Sequence, residues 1–122
     1  MSRKLRVALV DPSPSIRQAV ASYLQALAGV DLVRQAERLA DLEALPREEL
    51  DVIIADLQAC TGPCRGDLQA LRERFPHMQL IVITLEGDRE YEEAAMNLAA
   101  DGWVPKARIA SELEHALRKV TA

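Results

Sequence analysis

The chain has no apolar run approaching the length of a membrane span. Its start, MSRKLRVALVD, is too short and too quickly acidic for a signal peptide. It also has no basic stripe. Its 15 Lys and Arg are interspersed with 19 Asp and Glu for a net charge of −4, which argues against direct nucleic-acid binding. Two cysteines, Cys60 and Cys64, are too few for a disulfide framework, so a reducing, cytoplasmic setting is the expectation. Repeats, linkers and low-complexity stretches are missing as well. With 122 residues, 49% of them apolar and 28% charged, residues 1–122 read as one soluble globular domain able to bury a core.

Short β-branched apolar runs alternate with segments of helical period. Val7–Val10 ends at Asp11, Val52–Ala55 at Asp56 and Leu80–Ile83 at Thr84; such runs read as strands buried on both faces. Leu32–Ala36 and Gly102–Pro105 are weaker strand candidates. Ser13 followed by Pro14 predicts an N-cap and first helical position, with Ile16, Val20, Leu24 and Leu27 on the buried face and a stop near Gly29. Leu39, Leu42 and Leu45 predict a short second helix closed by Pro46. Leu68, Leu71 and Phe75 predict a third, stopped before Pro76. Asp88 is expected to cap a fourth, burying Tyr91, Ala94, Ala95 and Leu98. Ser111 and Glu114 are expected to form a capping box for the last helix, which carries Leu117 and Val120.

The alternation is (βα)5. It predicts an α/β, doubly wound, five-stranded parallel sheet with helices on both faces, because crossovers are right-handed. Ligands in such sheets gather at the carboxyl ends of the strands, beside the point where strand order reverses. Asp11, Asp56 and Thr84 stand at those ends. Cys60 and Cys64, in CTGPC, have too few nearby ligands for structural zinc, since neither His77 nor His115 is close in sequence. A disulfide across that step is geometrically possible but unsupported, and ordinary loop thiols are the preferred reading. The two histidines are expected on the surface.

VALVDPSPSIR, DVIIADLQ, LIVIT and ADGWVPK are similar, in order and spacing, to the signature segments of bacterial response-regulator receiver domains. The resemblance covers essentially the whole chain and implies a flavodoxin-like fold with strand order 2-1-3-4-5. It implies a phosphorylation-dependent signalling switch rather than an enzyme. Asp56 would accept a phosphoryl group from a histidine kinase or phosphotransfer protein. Thr84 would hydrogen-bond that group, and Lys106 would pair with its charge. Asp11, Asp56 and the carbonyl of Gln58 would hold Mg²⁺, and Trp103 would be the aromatic switch residue. A second copy of the chain is a further candidate partner. The chemistry is intelligible in its own right: a carboxylate attacks an anionic phosphoryl group only when cations neutralise the charge between them.

The chain departs from the pattern around this site. Pro12 stands where members usually carry a second acid. Two unit charges near 4 Å interact by roughly 4 kcal/mol at an effective dielectric of 20, so the loss predicts weak Mg²⁺ binding. Leu85 replaces a small residue, the loop LQACTGPCRG reaches its glycine late, and Ala107 follows Lys106 where Pro is common. A cis Lys106–Ala107 bond is not expected. The rival reading is a degenerate receiver, working as a phosphorylation-independent interaction or dimerisation module. A flavodoxin-like flavin binder shares the topology, but DPSPS has no glycine for the phosphate loop.

Overall fold

A computed structural model describes residues 4–47 and 49–121. Five parallel strands are ordered 2-1-3-4-5: β1 (Leu5–Val10), β2 (Val30–Ala36), β3 (Val52–Asp56), β4 (Gln79–Thr84) and β5 (Gly102–Pro105). The expected sheet is the observed one. β1, β3 and β4 are apolar on both faces because both faces are covered. On one face Ala8, Val10, Ile53, Ala55, Leu80 and Val82 pack with Leu68, Leu71, Phe75, Ala95 and Leu98. On the other, Val7, Leu9, Val52, Ile54, Ile81 and Ile83 pack with Val20, Leu24, Leu113 and Leu117. The side-chain period of two along each strand feeds these two cores alternately.

The helices are α1 (Pro14–Gln25), α2 (Leu57–Cys60), α3 (Arg65–Arg74), α4 (Arg89–Asn97) and α5 (Ile109–Val120). α1 and α5 cover the second face; α2, α3 and α4 cover the first. The Ser13 hydroxyl caps α1 by accepting from the Ile16 amide at 3.5 Å, with Pro14 in the first turn, as the sequence predicts. Ala26 caps α1's far end, three residues short of Gly29. The chain then enters β2, an edge strand with Asp31, Arg34 and Gln35 exposed. Its register against β1 slips by one residue at Val33, an irregularity suited to an edge.

Three expectations need correction. The second helix is only a 3₁₀ turn, Leu39–Leu42. Its leucines are buried, but spacing of three matches three residues per turn, and Arg38 supplies no side-chain cap. The loop after Asp56 carries elements of its own, on which the sequence reading made no statement. It contains α2 and a 3₁₀ turn at Gly62–Cys64, with Gly62 in the left-handed conformation at φ +59°. The Ser111–Glu114 capping box does not form. Helix α5 begins at Ile109, after a 3₁₀ turn at Lys106–Arg108, so Ser111 already lies inside it and donates to the Arg108 carbonyl at 3.2 Å. Asp88 occupies the N-cap position of α4 without a side-chain cap bond. No helix among the described residues is long and apolar enough to cross a membrane.

Candidate functional site

Because all five strands run parallel, their carboxyl ends share one edge. Asp11 follows β1, Asp56 ends β3, Thr84 ends β4 and Lys106 follows β5. β1 and β3 are neighbours at the reversal of strand order, so Asp11 and Asp56 face one crevice. Asp11, Asp56 and Thr84 are also the buried polar residues among those described, at 1%, 7% and 1% exposure. Buried polar groups need partners, and the partners define the site.

Each carboxylate is aimed by the backbone just beyond it. Asp11 Oδ1 accepts from the Ser13 amide at 2.9 Å, and Asp56 Oδ2 accepts from the Gln58 amide at 2.9 Å. These turns hold the acids in fixed orientation, and Asp56 at the same time caps α2. The remaining oxygens meet Lys106: Nζ lies 2.7 Å from Asp56 Oδ1 and 3.0 Å from Asp11 Oδ2. The contact with Asp11 is an ion pair without aligned hydrogen-bond geometry, so Oδ2 accepts no hydrogen bond. Burial disfavours the charge on Lys106, but Asp56 and then Asp11 outweigh it and hold the ammonium above its ordinary value of 10.5.

Thr84 is turned away from this triad. Its hydroxyl donates to the Glu86 carbonyl at 2.6 Å and accepts from the Trp103 indole at 2.9 Å. The pairing follows from register, since Val82 of β4 opposes Trp103 of β5 and Thr84 opposes Pro105. Thus Asp11, Asp56 and Lys106 converge, while Thr84 and Trp103 form an adjoining pair.

A cleft of about 250 Å³ opens on the acids, lined by Asp11, Pro12, Ser13, Ile16, Asp56, Leu57, Gln58, Leu85, Tyr91 and Lys106. Leu85 stands at its mouth, 65% exposed. Tyr91, expected only as a buried face of α4, is half-buried and lines the cleft. Arg17 was not anticipated. From α1 its Nη1 donates to the Asp11 carbonyl at 2.7 Å and fixes the loop that carries the acid. Nothing in the local pattern marks it, because the contact depends on how α1 folds back.

As a divalent-ion site the arrangement falls short. Two carboxylates converge, Pro12 offers no donor, and an ammonium already bridges the oxygens that face each other. Among the described residues no group of three or more His, Cys, Asp and Glu is placed to hold a metal. Cys60 is fully buried behind Asp56, and burial, then the nearby Asp56 charge, push its thiol up to about 12. Cys60 and Cys64 are both free, and His77 and His115 are exposed.

The fold recurs in solved structures. RcsB from Salmonella typhimurium aligns with a TM-score of 0.80 at 24% identity, over 98% of this chain and 61% of that one. The chain therefore spans about three-fifths of that protein's length. CheY6 of R. sphaeroides, in a crystal structure with the P1 domain of CheA3, aligns at 0.85 and 22% identity over 98% of both chains. The signal receiver domain of NarL from Mycobacterium tuberculosis aligns at 0.78 and 21% identity over 99% of both. No curated protein matches. At these identities the structures speak for the fold alone; the family rests on sequence. A family model described as the response regulator receiver domain matches residues 7–118, from the strand that delivers Asp11 to the helix beyond Lys106, and the chain belongs to that family.

Proposed function

We propose that residues 1–122 form a receiver domain that accepts a phosphoryl group on Asp56 and works as a phosphorylation-dependent switch. Receiver domains are signalling switches rather than typical enzymes, and they interact with histidine kinases or phosphotransfer proteins. The observation that carries the reading is the Asp56 carboxylate, fixed at the switch point of the sheet with Lys106 Nζ 2.7 Å away and a cleft opening on it.

In the proposed step an Asp56 oxygen attacks the phosphorus of a phosphohistidine on the partner. The P–O bond forms, the P–N bond breaks, and its electron pair leaves with the imidazole. Lys106 neutralises charge on the arriving group, as ammonium groups do in phosphoryl transfer. The phosphoryl group of the product carries about −1.5 to −2 charge beside Thr84, in place of the single charge of the carboxylate. Thr84 then exchanges the Glu86 carbonyl for a phosphoryl oxygen, and Trp103, hydrogen-bonded to the same hydroxyl, follows it. Receiver domains generally bind Mg²⁺ for phosphorylation. With two carboxylates and Pro12 at this site, its affinity here is weak. The net charge of −4 supports protein partners over nucleic acid, and two free thiols support a cytoplasmic setting.

The test is incubation with acetyl phosphate or a phosphorylated phosphotransfer domain, read by intact mass. Wild type should gain one acid-stable, base-labile phosphoryl group, and Asp56→Asn should gain none. Labelling that persists in Asp56→Asn removes Asp56 from the role. The second reading, a phosphorylation-independent interaction or dimerisation module, draws on Pro12 and on Leu85 exposed at the cleft mouth. It takes over if wild type is never labelled.

A further inference from the structure

Cys60 and Cys64 are free thiols that the proposed phosphoryl transfer does not use. They stand on the short link between the acid and the next long helix: Asp56 caps α2, Cys60 ends it, and Cys64 is at the N-cap position of α3. Between them the chain doubles back. Gly62 takes the left-handed conformation, and the Cys64 amide donates to the Thr61 carbonyl at 3.1 Å. That reversal packs α2 against the 3₁₀ turn Gly62–Cys64 and brings each thiol within Coulombic reach of the other. Their access differs. Cys60 is fully buried in the core with Leu68, Leu71 and Phe75, whereas Cys64 is half-buried.

An oxidant from solution therefore meets Cys64 first, while Cys60 waits behind it. A disulfide needs the two Cα atoms about 4.4–6.8 Å apart. The turn has room to adjust to that span, because Gly62 and Pro63 are exposed and nothing lies within 4 Å of where a Gly62 Cβ would stand. In a reducing compartment such a bond is transient and regulatory rather than structural. We propose that Cys60 and Cys64 are a peroxide-sensitive dithiol pair that closes into a disulfide and, through α2, moves the backbone that holds Asp56. Hydrogen peroxide oxidises the Cys64 thiol to a sulfenic acid and is reduced to water. The Cys60 sulfur then forms the S–S bond, the sulfenic S–O bond breaks, and the oxygen leaves as water with the Cys60 proton. A dithiol reductant reverses the step by exchange and becomes a disulfide itself. Because α2 is a single turn, a shift at Cys60 reaches Gln58, whose amide holds Asp56 Oδ2 at 2.9 Å. The pair belongs to the resting protein and does not depend on Asp56 accepting a phosphoryl group.

The experiment treats the whole chain with hydrogen peroxide and no phosphodonor, quenches with catalase, unfolds and alkylates it, and reads intact and peptide mass. Wild type should lose two hydrogens, with both cysteines protected from iodoacetamide, and dithiothreitol should restore two alkylatable thiols. Cys60→Ala should stop at a Cys64 sulfenic acid that dimedone captures. Cys64→Ser should oxidise about tenfold or more slowly than wild type, because peroxide must then reach the buried Cys60. This variant changes only a half-buried turn residue and keeps the test open where Cys60→Ala does not fold. Amide NMR should show the Gln58 resonance displaced in the oxidised chain and restored by dithiothreitol. Oxidation of wild type that ends at Cys64, or that yields only disulfides between chains, would overturn the proposal. So would an undiminished rate at Cys60 in Cys64→Ser, or a Gln58 resonance that stays in place when the disulfide forms. Failure of Asp56 to accept a phosphoryl group would instead count against the phosphoacceptor role alone, since none of these readouts involves phosphate.

Discussion

Trp103 donates its indole N–H to the Thr84 hydroxyl, the group that the proposed switch must move. That hydroxyl already donates to Glu86, so its single proton is committed away from Asp56. Reaching a phosphoryl group breaks the bond to Glu86 and either carries the indole along or leaves its N–H unpaired, at about 1–3 kcal/mol. Emission from Trp103, the only tryptophan, should therefore change when Mg²⁺ and beryllofluoride fill the site. Trp103→Phe keeps a ring but loses the donor, and should bind beryllofluoride a few-fold more tightly. Unchanged emission, with occupancy shown by NMR, would leave Trp103 as packing alone. Asp11, Asp56, Thr84 and Lys106 were legible because each ends or follows a short apolar strand, where side-chain direction is nearly settled. The Thr84–Trp103 bond was not, since it needs the register of two strands. Nor was the inequality of the two thiols. Cys60, with its thiol at about 12, is roughly one part in ten thousand thiolate at pH 8. Iodoacetamide should label half-buried Cys64 in the native protein and reach Cys60 only after unfolding; equal native rates would refute this.

Elements were readable where hydrophobic period and strand length agreed, and misread where a site imposed its own geometry. The strands β3, β4 and β5 fall within a residue of expectation because their apolar runs are short and bounded. The start of α5 is displaced because Lys106 must face the acids, and the 3₁₀ turn that orients it brings the helix in early. α2 was invisible because four residues carry no period, and its cap is Asp56 itself. The end of α4 offers an element-scale test. There the Ala99 amide bonds the Met96 carbonyl at 2.9 Å and the Ala100 amide bonds the Ala95 carbonyl at 3.2 Å, a Schellman ending. Such endings place their first residue beyond the helix in the left-handed region, and Ala99 has φ 55°. Arg72 of α3 reinforces the turn by donating to the Leu98 carbonyl at 2.7 Å. Ala99→Gly should relieve the Cβ strain and stabilise the fold by about 0.5–1 kcal/mol, net of Gly's greater freedom when unfolded. Urea denaturation should show a higher midpoint with an unchanged slope. A lower midpoint would mean that the left-handed turn is not strained.

At the scale of the whole molecule, Lys106 ties the end of the outer strand β5 to the ends of β1 and β3 across the sheet. Its protonation therefore bears on global stability, and the sign follows from linkage. The folded state holds the ammonium above its ordinary value of 10.5, so it binds that proton more tightly than the unfolded chain does. The stabilisation is complete below about pH 10.5 and drains away as pH climbs through the higher folded value. Removing one partner of a buried pair costs roughly 3–5 kcal/mol, and the 14% exposure of the Lys106 side chain lowers that to about 2–4 kcal/mol. Lys106→Met should thus be less stable than wild type by about that amount at pH 8, without divalent ions. As pH climbs above about 10.5 the gap should narrow, because wild type loses what the variant never had. The two proteins differ at this residue alone, so the difference between the two urea midpoints reports on Lys106. A gap that stays constant over that climb would show that the Lys106 charge does not hold the acids, and that the variant's instability comes from packing.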